Sequence, residues 1–146
     1  RGVLWIKAFA VGLYVPQPSP DVARLLDQPG PRRISLRMLM DIPAEEIVKA
    51  LRNGLRKNTT PQELAQMDER MNQVAAVLRS LGDRKPGDVL DLDWRQGTGF
   101  VISLNGKPRG AVVPGYDLYR GLMKIFIGER AVDKRLRTAL LAGGQA

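Results

Sequence analysis

The segment that most restricts the fold of this chain is its last third. Asp91-Leu92-Asp93-Trp94-Arg95 alternates apolar and polar side chains, Gln96-Gly97-Thr98-Gly99 interrupts, Phe100-Val101-Ile102-Ser103-Leu104 resumes the alternation, and Asn105-Gly106 leads to a third run from Lys107. Asn-Gly is the commonest pair at a type I′ turn, because both central positions need positive φ and these two residues reach it at least cost. The pattern therefore predicts a meander of strands over 89–94, 100–104 and 107–112. A helix follows over 116–127, stopped by Gly128, and another over 133–142, stopped by Gly143. Leu90, Leu92 and Trp94 share one face of the first strand, which leaves Asp91 and Asp93 for the other. Paired aspartates can do acid/base or metal chemistry, but on an alternating strand they are expected to be its solvent face. Gly97-Thr98-Gly99 stands between strands rather than ahead of a helix, so it is a tight link and not a phosphate loop.

Upstream, residues 4–15 are apolar on both alternating faces, with Trp5, Phe9, Val11, Leu13 and Val15 on one and Leu4, Ile6, Ala8, Ala10 and Tyr14 on the other. Such a strand is expected deep in a sheet. Proline clusters at 16–20 and 29–31 flank a short helix around Val22 to Leu26, and Ile34, Leu36, Met38 and Met40 alternate as a half-buried strand. Pro43, Glu45 and Glu46 form the first turn of a helix over 43–57 whose apolar stripe is Ile47, Ala50, Leu51 and Leu55. Thr60-Pro61-Gln62-Glu63 is a capping box with proline at the first helical position, so a new helix runs over 60–81. Its Met67 and Met71 lie at core spacing. Strands gathered together with helices segregated to one face make an α+β domain, and 146 residues suit one domain spanning 1–146.

The chain has no cysteine and no histidine, which removes disulfides, thiolate metal sites and ordinary zinc chemistry. No metal or cofactor is expected. The longest apolar runs fall well short of the roughly 20 residues of a membrane-spanning helix, so a soluble protein without a transmembrane segment is expected. A formal charge of +8 suits an anionic partner. The basic residues are nevertheless scattered and aromatic content is only 5%, so no nucleic-acid face is expected.

The string from Asp91 to Lys107, with Pro114-Gly115-Tyr116-Asp117-Leu118-Tyr119, Phe126-Ile127-Gly128-Glu129 and Trp5-Ile6-Lys7-Ala8-Phe9-Ala10-Val11-Gly12-Leu13-Tyr14-Val15, resembles the chalcone isomerase-like family, in particular its bacterial branch. The resemblance covers nearly the whole chain. It implies an open-faced β-sandwich, a mostly antiparallel sheet with helices layered on one face. It also implies an exported, periplasmic protein whose leader precedes Arg1. Arg1 matches the arginine that faces an anionic or polarised oxygen in the family, a role suited to a planar fork of donors. Phe9 falls at a family threonine, Glu46 near a tyrosine, Asn53 at an asparagine and Tyr119 at a hydroxyl position. Only Asn53 is preserved, so cyclisation of chalcones is not expected.

The resemblance then implies a non-catalytic binder of a hydrophobic, anionic small molecule such as a fatty acid. Arg1 would anchor the carboxylate, with Phe9, Met38, Asn53, Leu118, Tyr119 and Leu122 lining an apolar cleft. Two other functions stay open. One is a cofactor-independent isomerase or intramolecular lyase using Arg1, Asn53 and Tyr119. The other is a periplasmic interaction protein whose cleft is filled core.

Overall fold

The computed structural model describes residues 8–142. In chain order its elements are strand β1 (Phe9–Tyr14), helix α1 (Val22–Asp27), β2 (Arg32–Met38), α2 (Ala44–Lys57), α3 (Pro61–Leu81), β3 (Val89–Arg95), β4 (Gly99–Leu104), β5 (Lys107–Val113), α4 (Tyr116–Ile127) and α5 (Lys134–Leu141). The five described strands form one sheet in sequential order, every neighbouring pair antiparallel. Asn105 and Gly106 take φ of 51° and 85°, the left-handed geometry the turn demands. The Thr60 hydroxyl accepts from the Glu63 amide at 3.2 Å while the Glu63 carboxylate accepts from the Thr60 amide at 3.1 Å, so the capping box is complete.

Register sorts the side chains. Phe9 pairs with Met38, Val11 with Leu36, Ile34 with Leu92 and Trp94 with Phe100, and all of these point toward the helices. Helix α4 lies at the centre of that layer, in contact with α1, α2, α3, α5 and β4. The opposite face carries Tyr14, Arg33 and Asp93 in one row and Gly12, Ser35, Asp91 and Ser103 in the next.

The sequence-based expectations differ from this in three places. β1 is the edge strand among the described residues rather than a deep one: its apolar row Phe9 and Val11 meets the helices, while its other row is filled by the small Ala10 and Gly12 and the exposed Tyr14. β2 ends at Met38, where the Met38 amide donates to Asp88 O, and Met40 is exposed on the turn toward α2. Asp91 and Asp93 do face away from the helices, yet they are 7% and 5% exposed, beside the equally buried Val101 and Ser103. Alternation identifies the side of a strand; it does not say whether that side is wet.

Helices α2 and α4 approach closely at Gly54, where an added Cβ would stand 2.8 Å from Ile125 side-chain carbons. A mid-helix glycine costs about 1 kcal/mol relative to alanine, so close packing is what retains it. Gly54→Ala is expected to destabilise by about 1–3 kcal/mol despite its better helix propensity, because the fully buried, β-branched Ile125 cannot yield. Urea denaturation of Gly54→Ala in the wild-type and Ile125→Ala backgrounds checks this: the change should cost clearly less where Ile125 is already truncated.

Candidate functional site

The sequence-predicted site residues fall into three groups. Arg1 lies outside the described residues. Phe9, Met38, Leu118, Tyr119 and Leu122 are all at most 3% exposed and share one closed hydrophobic core between sheet and helices. Asn53 sits on the flank of α2, out of phase with the inward Val48, Leu51 and Leu55, and its Oδ1 accepts from exposed Arg56 at 2.8 Å. Neither of the two described cavities is lined by any of these six.

Tyr119 shows why the core is closed. Its hydroxyl donates to Leu92 O at 2.6 Å and its ring meets Phe100 edge-on at 5.4 Å. Burial pushes its hydroxyl well above the ordinary tyrosine value, and the Asp93 charge pushes it further in the same direction. The proton is held and committed to a carbonyl, which makes Tyr119 a poor relay at neutral pH.

The larger cavity, about 750 Å³, lies at the end of the sheet where β1 and β3 finish and β2 begins. Its floor is Ser35, Asp91 and Asp93, from two neighbouring rows on the face away from the helices. Tyr14, Val15, Pro16, Pro31 and Trp94 supply apolar and aromatic wall. The smaller cavity, about 570 Å³, lies among α1, the α2–α3 turn and the end of α4, and is ringed by Lys57, Arg120, Lys124, Glu63 and Glu129. Arg130 also lines it, and of its cations Arg120 is compensated by a carboxylate: the Arg120 guanidinium, hydrogen-bonded to Asp27 at 2.8 Å, holds that carboxyl below its usual range.

Three arginines line the larger cavity, each differently committed. Arg33 grips Asp93 bidentately, at 2.8 and 2.9 Å, and stands 3.8 Å from Asp91. These contacts hold its guanidinium protonated more strongly than usual. Arg32, 4% exposed, donates to the carbonyls of Gly30 at 2.7 Å, Leu26 at 3.3 Å, Leu25 and Gln28, at the C-terminal end of α1, where a cation meets the helix dipole favourably. It also lies 5.1 Å from the centre of the Tyr116 ring. Tyr116 packs edge-on to Trp94 with centroids 5.1 Å apart and donates to Leu26 O, and burial raises its hydroxyl above the usual value. Arg95, at the end of β3, is exposed and has no carboxylate partner among the described residues. The cavity wall is thus fixed by Arg32, the Asp93 charge on its floor is met by Arg33, and Arg95 has no carboxylate partner among the described residues.

Residues 1–142 match the family described as chalcone isomerase-like. The chain belongs to that family. Its fold is similar to the crystal structure of a fatty-acid binding protein from Arabidopsis thaliana, with a TM-score of 0.71 over 93% of this chain and 77% of that one, at 17% identity. At that identity the likeness is one of fold. No curated protein matches the chain by sequence. In this chalcone isomerase-like chain the sheet and its helix layer are as the family resemblance implies, whereas the cavity residues were missed. Arg32 and Arg33 read as an ordinary basic pair at a strand start, and the one local hint was the Pro29-Gly30-Pro31 turn that folds α1 back against them. Among the described residues no group of acidic side chains is placed to hold a metal, and no helix is long and apolar enough to cross a membrane.

Proposed function

We propose that this chalcone isomerase-like protein binds a hydrophobic small-molecule carboxylate of the fatty-acid type, in the cavity at the end of the sheet. The observation that carries the reading is that one cavity of about 750 Å³ joins an apolar, aromatic wall to an uncommitted arginine, Arg95. Small-molecule sites are concave, mostly apolar and oriented by a few polar groups, and a volume of roughly 300–1,000 Å³ is usual for them. Membership of the family and the fold shared with a fatty-acid binding protein support the same reading. A carboxylate at Arg95 gains charge-assisted hydrogen bonds, while its chain lies against Trp94, Pro31 and Pro16.

Decanoic acid titrated by calorimetry into wild type, Arg95→Ala and Arg1→Ala tests this. Wild type should bind, and Arg95→Ala should bind on the order of tenfold more weakly, as for loss of one partly solvated charged contact. Absence of heat with wild type sinks the reading. A loss confined to Arg1→Ala transfers the carboxylate to the anchor that the family resemblance implies.

A further inference from the structure

Asp91 and Asp93 stand two apart on the same face of β3, in the same cavity, and only one of them is satisfied. Asp93 has a donor on each oxygen, both from Arg33. Asp91 is as deeply buried, its side chain 10% exposed, yet its Oδ2 is 3.8 Å from Arg33 Nη1, beyond hydrogen-bonding distance. Its Oδ1 has no hydrogen-bond partner among the described residues. Buried carboxylates are ordinarily hydrogen-bonded, and one left without a donor at the floor of a cavity calls for a donor from whatever fills that cavity.

We propose that the cavity is built for a ligand that carries a hydroxyl as well as a carboxylate, the hydroxyl donating to the Asp91 carboxylate. The proposal rests on the fatty-acid reading above and specifies its ligand further. A hydroxyl suits the site better than an ammonium because three arginines line the cavity against two aspartates, so a further cation enters a positive surround. Ser35 lies beside Asp91 in register on the neighbouring strand and lines the same floor, where its hydroxyl can bond the other side of the ligand oxygen. The separation also fits: Asp91 to Arg95 along β3 is about 13 Å at ~3.3 Å per residue, the reach of an extended chain of roughly ten carbons. A carboxylate at Arg95 therefore places an ω-hydroxyl near Asp91.

The test is calorimetric, with decanoic acid, ω-hydroxydecanoic acid and decylamine titrated into wild type and Asp91→Ala. A hydrogen bond to a buried carboxylate should make the hydroxy acid bind wild type on the order of tenfold to a hundredfold more tightly than decanoic acid, a ratio that falls to near one in Asp91→Ala. Equal affinities of the two acids for wild type overturn the proposal while leaving the fatty-acid reading intact, and this comparison needs no variant to fold. A preference that survives in Asp91→Ala overturns it too, because the hydroxyl is then met elsewhere. Tighter binding of decylamine than of the hydroxy acid replaces the hydroxyl by a cation. Failure of both acids to bind removes the fatty-acid reading and the proposal with it.

Discussion

Tyr119→Ala is expected to lower the stability of this protein by about 3–5 kcal/mol, whereas Tyr119→Phe should cost only about 0.5–1.5 kcal/mol. The difference follows from what the side chain touches. Its ring is fully buried among Phe100, Trp94 and Tyr116, with centroids 5.4, 6.1 and 6.2 Å away, so truncation leaves a cavity that a packed sheet and α4 cannot close. Its hydroxyl donates to Leu92 O and is also met by the Ile34 backbone, and these polar contacts are what phenylalanine loses. Chemical denaturation of the two variants measures both numbers. If Tyr119→Phe instead keeps its stability and loses decanoic acid binding, Tyr119 belongs to a ligand site after all, and the closed core must open to admit one.

Ser35→Trp should abolish decanoic acid binding, by at least about a hundredfold, and leave the melting temperature within a few degrees of wild type. Ser35 lies in the middle of β2 on the face away from the helices, between Gly12 and Asp91, at the floor of the larger cavity. An indole there occupies the ligand's volume without entering the core, and tryptophan is well tolerated in strands. Calorimetry and a thermal melt on the same sample suffice. Undiminished binding would place the ligand elsewhere, with the buried set Phe9, Met38, Leu118, Tyr119 and Leu122 next in line.

Much of the frame was legible from local chemistry. The Thr60 and Glu63 pair begins α3 because its hydrogen bonds involve residues three apart, and Asn105-Gly106 turns β4 into β5 because the φ requirement is intrinsic to those two residues. The site was less legible because its determinants are not local. Arg32 is buried by carbonyls six and seven residues behind it in sequence, and nothing in an Arg-Arg pair marks which one the chain will fold over. Asp91 and Asp93 were assigned correctly to a face, but their burial and the choice of Asp93 as the partner of Arg33 are set by pairing across sixty residues. Asn53 is different: the spacing of Ile47, Leu51 and Leu55 already leaves it on the flank of α2, so helical phase weighed against the resemblance there.

The manner in which Arg32 holds α1 separates position from identity. Its guanidinium takes hold of the main-chain oxygens of Leu25, Leu26, Gln28 and Gly30, not of any side chain. Six residues are too few for a helix to persist unaided, so α1 borrows its order from that grip and from the inward Leu25 and Leu26. The outward Asp27 ties the helix to Arg120 of α4, whereas the outward Ala23 and Arg24 take no part in the docking and are free to drift. The fork that reads the backbone is not: lysine offers one compact ammonium where four separated carbonyls must be met. Relatives can therefore vary the letters of this helix widely and keep the wall of the cavity where it is, provided an arginine stands at this place in the strand.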